Sequence, residues 1–289
     1  GVRSQDSIEG VIVTARRREE AVQDVPLAIA VLNSETIENT GSFNVGKLQQ
    51  LQPSVQFYSS NPRNSAVNIR GLGAPFGLTN DGIEQGVGIY IDQVYYSRAA
   101  TATFDFLDVD QIEILRGPQG TLYGKNTTAG AINVTTRKPS FQTEGRGEVT
   151  TGNLGYIQSK ASISGPLIGD TLAGRLSGSY TSRDGTIYNV ATGQHINELD
   201  NLGFKGQLLW QPSSALSVKF SADYTRQDPL GYGQLYVRTG STQRALARQF
   251  AALAVASGYT VPSTDPFDRL TDLDADLSAK QIFAGTSAL

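Results

Sequence analysis

VDQIEILRGPQGTLYGKNTTAGAINVTTRKP, residues 109–139, is the stretch that decides the fold of this chain. Ile112 and Ile114 alternate with polar residues until the run reaches a cluster of glycine and proline at 117–120. A second run of small and β-branched residues occupies 131–136. Alternation bounded by glycine and proline is typical of a strand, a turn and a further strand. The stretch therefore predicts two strands that a glycine-rich loop connects.

Residues 114–139 closely resemble the signature that ends the plug domain of TonB-dependent outer-membrane receptors. The family signature runs roughly I-E-V-L-R-G-P-x-G-x-L-Y-G-x-x-x-x-G-G-x-I-N. The segment 120–127 is also similar to a phosphate-binding loop, but Gln119 replaces its first glycine and Asn126 replaces the hydroxyl residue after its lysine. We therefore expect no nucleotide site here. The glycines expected to form tight, positive-φ turns in this loop are Gly117, Gly120, Gly124 and Gly130.

Composition favours a turn-rich β structure and excludes several classes of site. The chain has 289 residues with 31 glycines and 12 tyrosines, which lean toward all-β structure. It has no cysteine, so a disulfide framework and a thiolate metal site are both excluded within it. A formal charge of −3 gives no electrostatic case for nucleic acid. Apolar runs such as 27–32 are far shorter than the roughly 20 residues of a membrane helix, so a membrane crossing would require a closed barrel.

Catalytic motifs are weak throughout the sequence. His195 is the single histidine and lies in a polar segment, so it cannot assemble a metal cluster by itself. No Gly-x-Ser-x-Gly nucleophile elbow occurs. We expect no catalytic residues, no resident metal and no cofactor, and hence a protein that is not an enzyme.

The N-terminal tail, residues 1–23, is polar apart from one β-branched patch. An isolated extended segment in a polar tail suits strand addition to the open sheet edge of a partner, although periodicity alone favours an edge strand of the following domain. The patch resembles the Ton box, the segment with which receptors of this family pair with TonB, except that Gly10 replaces a more usual bulky residue. The expected TonB-binding residues are Ile8, Glu9, Gly10, Val11, Ile12, Val13, Thr14 and Ala15.

Residues 24–140 are predicted to form the plug, an α+β domain. Arg70 and Arg116 each close a predicted strand and each precede a glycine. Arginine suits bidentate pairing with carboxylates in a low dielectric, but two solvated strand-end arginines are an open alternative. The resemblance implies that both arginines lock the plug to glutamates on the inner barrel wall.

Polar and aromatic residues on the plug loops are the candidates for cargo binding, because a small ligand is commonly held by such a mixture. The expected substrate-binding residues are Asn61, Arg63, Phe76, Asn80, Tyr95 and Tyr96.

Residues 141–289 change to regular alternation of apolar and polar residues. In 216–225, for example, Phe220 and Tyr224 share one face and Lys219 and Asp223 share the other. This pattern predicts strands of a transmembrane antiparallel β-barrel, with a soluble sandwich as the alternative. One of these strands is predicted at 270–277. About six strands are expected, whereas bacterial barrels begin at eight and plugged transporters have 22, so we expect an incomplete barrel.

The resemblance implies TonB-dependent active import across the outer membrane of a Gram-negative bacterium. The expected partners are TonB, outer-membrane lipid and a small-molecule substrate, foremost an iron-siderophore complex. A saccharide, cobalamin or an aromatic compound is an alternative cargo. A passive porin or adhesin is a more distant alternative, since it would need neither the tail patch nor the plug.

Overall fold

A computed structural model of the protein describes residues 12–13, 20–21, 28–59, 64–74, 84–231, 233–240, 242–276, 278 and 280–289. In this part of the chain the backbone forms two large sheets, one in the N-terminal half and one in the C-terminal half. No helix among the described residues is long and apolar enough to cross a membrane.

The described residues of the N-terminal half form nine strands. They are β1 (Ile12–Val13), β2 (Glu20–Ala21), β3 (Ala28–Asn33), β4 (Val55–Ser59), β5 (Ser65–Ile69), β6 (Val87–Ile91), β7 (Val94–Tyr96), β8 (Val109–Arg116) and β9 (Gly130–Thr136). Five of them form a mixed sheet in the order β3-β8-β9-β6-β7, in which β6 and β9 are parallel and the other neighbours are antiparallel. β1 pairs with β2, and β4 pairs with β5. We keep the name plug for residues 24–140.

The helices of the plug among the described residues are short, and an asparagine side chain caps two of them. They are α1 (Ser34–Asn39) and α2 (Gly120–Tyr123), with 3-10 helices at Val45–Gln50 and Ala99–Thr103. Asn33 caps α1 by accepting a hydrogen bond from the Thr36 amide, as expected for asparagine at this position. Asn44 caps the first 3-10 helix in the same way through the Lys47 amide.

The plug core lies on one face of its five-stranded sheet. Ile112 and Ile132 from the central strands pack with Ile37 of α1, Leu48 of the 3-10 helix and Val67 of β5. All five side chains are buried. Burial of each such side chain contributes about 1.5–3 kcal/mol, so this layer supplies most of the cohesion of the plug.

The C-terminal half consists of long antiparallel strands and the loops that join them. The strands are β10 (Glu144–Thr151), β11 (Ile157–Ile168), β12 (Leu172–Arg183), β13 (Ile187–Asn189), β14 (Gln194–Ile196), β15 (Leu199–Ser213), β16 (Leu216–Gln227), β17 (Leu270–Thr271) and β18 (Gln281–Ala288). Six of them form a sheet in the order β10-β11-β12-β15-β16-β18, which we call the wall. Its two turns at 169–171 and 214–215 are short and lie at one end, whereas the longer connections 184–198 and 228–280 lie at the other.

In the wall, apolar side chains are exposed and polar side chains are buried, which is the reverse of the arrangement in a water-soluble sheet. Leu176 and Phe220 are exposed on the outer face, at 59% and 49%, whereas Arg175 and Lys205 are buried on the inner face. The inner face is buried because the plug lies against it. An apolar exterior and a polar interior that alternate along each strand are the pattern of a membrane barrel, and four of the strands are 12 to 15 residues long, enough to span a bilayer.

The expected strand at 270–277 is wrong for most of its length. Among the described residues of this range, only Leu270–Thr271 are extended, and they pair in parallel with β13 in a small sheet of the loops, in the order β14-β13-β17. The sixth wall strand is instead β18. Asp276 accepts hydrogen bonds from Asn189 and Thr192, which holds the chain in a loop geometry. A further helix, α3 (Phe250–Ser257), lies in the 228–280 connection.

Candidate functional site: the interface between plug and wall

The plug meets the wall through ionised side chains. Three plug carboxylates, those of Asp92, Asp105 and Asp108, point at the inner face of β12, β15 and β16. All three belong to turns or loops at the ends of plug strands, so the plug sheet positions them while its own core stays intact.

Asp92 is the centre of a buried charge cluster. The Lys205 ammonium lies 3.1 Å from one Asp92 carboxylate oxygen and 2.7 Å from Asp223, and Lys219 lies 3.7 Å from the other Asp92 oxygen. Thr136 donates its amide at 2.9 Å and its hydroxyl at 2.7 Å to the same carboxylate. The side chains of Asp92 and Lys205 are 2% and 3% exposed, so both charges depend on each other for compensation.

The backbone presents Asp92 in an uncommon conformation. Asp92 and Gln93 connect β6 to β7 with φ angles of 49° and 67°. A two-residue hairpin turn with both φ angles positive matches strand twist but usually contains asparagine or glycine. Burial acts to raise the pKa of the Asp92 carboxyl, but Lys205, Lys219 and the Thr136 hydrogen bonds outweigh it, so that pKa falls below its usual value. Asp92 is therefore held ionised at neutral pH.

Asp108 forms a second ion cluster at a similar level along the wall strands, on the side of β10 and β12. The Arg175 guanidinium of β12 donates to Asp108 and also to Glu144 of β10, at 2.7 Å for the second contact. The Ser177 hydroxyl adds a hydrogen bond of 3.0 Å to Asp108. The Arg175 side chain is 2% exposed, and its guanidinium bridges Asp108 of the plug to Glu144 of β10, whose side chain is 49% exposed.

Asp105 lies closer to the end of the wall that carries the long connections and is bound by uncharged donors. Its carboxylate accepts hydrogen bonds from the Thr181 hydroxyl at 2.5 Å and from the Asn201 amide at 2.7 Å. Burial raises the pKa of the Asp105 carboxyl to about 6, against the opposing effects of these two hydrogen bonds and the more distant charge of Lys160. Asp105 therefore changes its charge close to neutral pH.

Because the pKa of Asp105 is about 6 in the folded protein and 3.8 ordinarily, the folded state binds a proton more tightly than the unfolded state. The free energy of unfolding should therefore rise as pH falls through 6 toward 4, by up to about 3 kcal/mol from this group. Asp105→Asn, which keeps the shape without the charge, should lose this dependence. Thermal unfolding of both proteins in detergent at pH 7 and pH 5 measures the difference, with the exposed Asp110→Asn as the control. A pH dependence of Asp105→Asn equal to that of the parent would contradict the assignment.

Neutral contacts complete the interface. Gln207 of β15 donates to the Thr136 hydroxyl at 3.0 Å, and Gln227 of β16 donates to the Thr103 carbonyl at 2.8 Å. A Cβ atom on Gly203 would lie 3.0 Å from the Leu107 side chain, so glycine lets the plug approach the wall closely here. The plug thus contacts β15 and β16 along much of their length.

The two arginines predicted to lock the plug make no contact with the wall in the part of the chain that the structure describes. Arg70 is exposed, adopts a φ of 55° and donates its backbone amide to the Ser54 carbonyl at 2.8 Å. The Arg116 side chain donates to the Ala28 carbonyl at 3.4 Å. Neither forms an ion pair with a carboxylate of the described residues, so their locking role stays a prediction.

Two of the predicted substrate-binding residues can be placed. The Tyr95 hydroxyl accepts a hydrogen bond from Asn126 at 2.8 Å. The Tyr96 ring packs against Phe283 of β18 at 5.1 Å, and burial together with the charges of Asp223 and Asp92 raises the pKa of its hydroxyl. Tyr96 therefore belongs to the contact between plug and wall. The other four predicted residues, Asn61, Arg63, Phe76 and Asn80, lie outside the described residues.

Two residues of the predicted TonB-binding patch are described. Ile12 and Val13 form β1 and pair antiparallel with residues 20–21, and the Val13 side chain is fully buried while Ile12 is half exposed. The remaining residues of the patch lie outside the described part of the chain. They are Ile8, Glu9, Gly10, Val11, Thr14 and Ala15.

The signature loop packs on the face of the plug sheet opposite the main core. Tyr123 of α2 lies edge-on to Tyr90 at 4.7 Å and its carbonyl accepts a hydrogen bond from the Tyr90 hydroxyl. Leu115 and Ala131 complete this second apolar cluster. No group of three or more His, Asp or Glu side chains among the described residues is arranged to hold a metal ion.

The sequence reasoning missed the acidic residues of the interface. The polar face predicted for β12, β15 and β16 already contained Arg175, Lys205 and Lys219. An excess of cations on a face turned toward a plug is a signal for carboxylates on the plug. Which carboxylates meet them depends on the fold of the loops, and the sequence does not provide that.

Comparison with known proteins assigns the N-terminal half of the chain to one domain family. Residues 21–131 match the family model described as the TonB-dependent Receptor Plug Domain. The Pesticin receptor of Yersinia pestis is 29% identical over 201 residues, which are 69% of this chain and 28% of that protein. The Vitamin B12 transporter BtuB of Vibrio cholerae is 26% identical over 204 residues, 68% of this chain and 31% of that protein. The chain thus spans less than a third of the length of these relatives.

Solved structures are similar to both halves of the chain. The ferric yersiniabactin uptake receptor FyuA from Yersinia pestis superposes with a TM-score of 0.65 at 26% identity over 71% of this chain and 32% of FyuA. The ferripyoverdine receptor of Pseudomonas aeruginosa gives a TM-score of 0.65 at 17% identity over 83% of this chain and 31% of that chain, which shows the fold alone. The predicted fold class, an α+β plug followed by strands of an incomplete antiparallel barrel, is confirmed.

Proposed function

We propose that the chain is a TonB-dependent outer-membrane receptor and that it serves energy-coupled import of a small molecule across the outer membrane of a Gram-negative bacterium. Its relatives are transport receptors, which supports a protein that is not an enzyme. In this proposal, residues 1–23 are a periplasmic tail, 24–140 are the plug and 141–289 are the first strands and extracellular loops of the barrel.

The observation that carries the proposal is the ionic contact between plug and wall. A barrel wide enough to enclose a plug leaks unless the plug fills it. Asp92 and Lys205 hold the plug by directional charge pairs rather than by a large apolar surface. Such an interface keeps the plug in place at rest, yet a displaced plug exposes mainly polar groups to the water-filled lumen. That combination suits a plug that moves in each transport cycle and then returns.

The relatives indicate the chemical class of the cargo and not its identity. The named relatives include receptors for ferric yersiniabactin and ferripyoverdine and a transporter for vitamin B12. We propose an iron-siderophore complex as the cargo, with cobalamin, a saccharide or an aromatic compound as alternatives. The plug residues proposed to touch cargo are Asn61, Arg63, Phe76, Asn80, Tyr95 and Tyr96, while Arg70 and Arg116 remain proposed contacts to barrel strands beyond this chain.

TonB is the proposed energy-transducing partner, and the patch at 8–15 is its proposed docking segment. Strand addition needs an extended segment with free backbone groups, and this patch is rich in β-branched residues. In the described residues Ile12 and Val13 already pair with 20–21, so TonB would replace that short ladder with its own.

Deleting residues 7–15 from the full-length receptor tests the proposal. Labelled uptake across candidate cargoes should fall to the level of receptor-free cells, while binding of the same cargo at the cell surface stays unchanged. This result is expected because the deletion removes the energy-transducing contact and leaves the extracellular loops intact. The control replaces residues 2–6 with glycine and serine, which keeps the patch and should retain uptake. Uptake that survives the deletion would favour a passive channel.

A further inference from the structure

We propose that the long connection between β16 and β18, residues 228–280, is a contact surface through which two copies of the receptor associate side by side in the outer membrane. In this contact an exposed phenylalanine of one copy covers an exposed apolar helix of the other, and the same pair forms in reverse. This inference goes beyond the proposed import and depends on neither the cargo nor TonB. Three observations carry it: two exposed apolar features, opposite charges beside them, and contacts that hold the two features apart within one copy.

The first apolar feature is α3 together with the 3-10 helix before it, Leu246–Arg248. No residue of either helix is buried in the described part of the chain. Leu246 and Val255 are 81% and 84% exposed, and Leu253 is about half exposed. A helix that is apolar on nearly all sides is normally covered, and a contiguous exposed apolar surface marks an interaction site. We call residues 246–257 the apolar patch.

The second apolar feature is Phe267, which a short turn presents to solvent. Its side chain is 87% exposed. The Phe267 amide donates to the Asp265 carboxylate at 2.9 Å, and the Ser263 hydroxyl donates to Asp268 at 2.5 Å, so the turn is held by its own hydrogen bonds. An aromatic side chain on a preorganised turn loses little conformational freedom on binding and is a typical anchor of an interface. We call residues 263–268 the aromatic tip.

Charge is segregated along the same connection. Residues 229–264 contain three arginines and no acidic residue, whereas residues 265–276 contain five aspartates and one arginine. Arg244 and Arg248, beside the apolar patch, are exposed and form no ion pair with another described residue. The two carboxylates of the aromatic tip form none either. The apolar patch of one copy therefore offers the charge that the aromatic tip of another copy lacks.

Contacts within the connection favour a second copy over closure of one copy on itself. Tyr259, just after α3, donates its hydroxyl to Asp272 at 2.6 Å, and Phe250 of α3 stacks on Tyr236 at 5.7 Å. The aromatic tip leads directly into β17, which pairs with β13. These contacts hold both features in place while Phe267 stays exposed. Closure of one copy would have to break some of them, whereas a second copy reaches both surfaces without breaking any.

Two receptors in one membrane have the geometry that this contact needs. They share one orientation, so their long connections project on the same side. A two-fold axis along the membrane normal brings the aromatic tip of each copy to the apolar patch of the other, so that one contact occurs twice. Because few side chains form it, the association should be reversible and should depend on receptor density in the membrane.

Cross-linking between two copies tests the contact. Full-length receptor with Thr264→Cys is mixed in liposomes with receptor that carries Ala256→Cys. This chain has no cysteine of its own, and any cysteine elsewhere in the receptor is replaced by serine. Both substitutions lie beside the contact and leave Phe267 in place. A short bis-maleimide is the probe, and the mixed dimer on a denaturing gel is the readout. The control uses Asn153→Cys, an exposed residue at the same end of the wall, instead of Ala256→Cys.

Mixed dimer should form between the Thr264→Cys and Ala256→Cys copies and should increase with receptor density, while the Asn153→Cys control should give little. Phe267→Ser in the Thr264→Cys copy should abolish the dimer, because the apolar anchor is lost. A dimer yield equal to that of the control, or one that Phe267→Ser leaves unchanged, would overturn the proposal.

Charge reversal tests the electrostatic part of the contact. Arg244→Glu with Arg248→Glu in the Ala256→Cys copy should reduce the mixed dimer by about tenfold or more, because like charges then face each other. Asp268→Arg in the other copy should restore part of the yield. A yield that ignores both changes would contradict the assigned pairing of aromatic tip and apolar patch.

Labelling of Thr264→Cys by a bulky maleimide distinguishes a second copy from closure within one copy. Protection of this thiol should grow with receptor density. Protection that is the same at every density would mean that the same copy covers its own aromatic tip, and it would overturn the proposal. All variants are compared at equal amounts of protease-resistant receptor, so that a folding defect is not mistaken for loss of the contact.

Discussion

Lys205→Ala in the full-length receptor is expected to destabilise the docked plug by about 3–5 kcal/mol. The Lys205 ammonium compensates two carboxylates at once, Asp92 of the plug and Asp223 of the wall, and its side chain is 3% exposed. Without it, Lys219 at 3.7 Å is the remaining cation beside Asp92 among the described residues. The large effect arises because two negative charges stay buried close together, not because an ion pair is itself strongly stabilising.

The loss of plug stability in Lys205→Ala can be measured by protease digestion of the plug and by entry of a large antibiotic into cells. Both the digestion and the antibiotic entry should increase. Lys280→Ala is the matched control, because its pair with Asp228 lies at 3.0 Å on the surface and contributes about 0–1 kcal/mol. Asp92→Asn combined with Lys205→Met removes both charges, and asparagine tolerates the positive φ of this turn. The double variant should recover much of the stability. A double variant as damaged as Lys205→Ala would contradict a role for uncompensated charge.

Much of the fold could be predicted from the sequence because its signals are local. The alternation of Leu176 and Phe220 with polar neighbours identified the outer face of the wall, which the structure confirms by their exposure. The signature at 114–139 indicated a plug because glycine, proline and arginine occur there at fixed spacings. The strand at 270–277 failed for the opposite reason. Its alternation is genuine, but hydrogen bonds from Asn189 and Thr192 to Asp276, about eighty positions away in sequence, decide the local structure.

The interface could be predicted only in part, because it is built from long-range pairs. Strand-end arginines were expected to hold the plug, whereas the described contacts are made by Asp92 and Asp108 with wall cations. Asp92 reaches the wall because it lies in a hairpin turn with positive φ angles. The sequence does not predict this turn, because it has neither glycine nor asparagine there. The sequence showed the positive charges on the inner face of the wall, but it did not show which plug carboxylates pair with them.

Gly130→Ala is expected to prevent the plug from folding in its present form. Gly130 has a φ of 157°, and a Cβ atom there would lie 2.4 Å from the Leu115 carbonyl oxygen and 2.7 Å from Ile69. The first of these atoms belongs to the backbone of the neighbouring strand and cannot move without breaking the pairing of β8 with β9. Strained backbone and overpacking each cost roughly 1–3 kcal/mol, and here they act together at the centre of the sheet. The receptor should reach the outer membrane in much smaller amounts, or with a protease-sensitive plug.

Gly120→Ala supplies the matched control from the same loop. The sequence alone treats Gly117, Gly120, Gly124 and Gly130 alike, but Gly120 begins α2, has no positive φ and has open space where a Cβ atom would lie. Its substitution should change stability by no more than about 0.5 kcal/mol. Gly124→Ala falls between the two, because its φ of 87° is strained for alanine although no atom obstructs the side chain. Protease resistance of the plug in the four receptors should therefore decrease in the order parent, Gly120→Ala, Gly124→Ala, Gly130→Ala, with the first two nearly equal. Equal damage from Gly120→Ala and Gly130→Ala would mean that the loop requires glycine for flexibility and not for the close approach of β9 to β8.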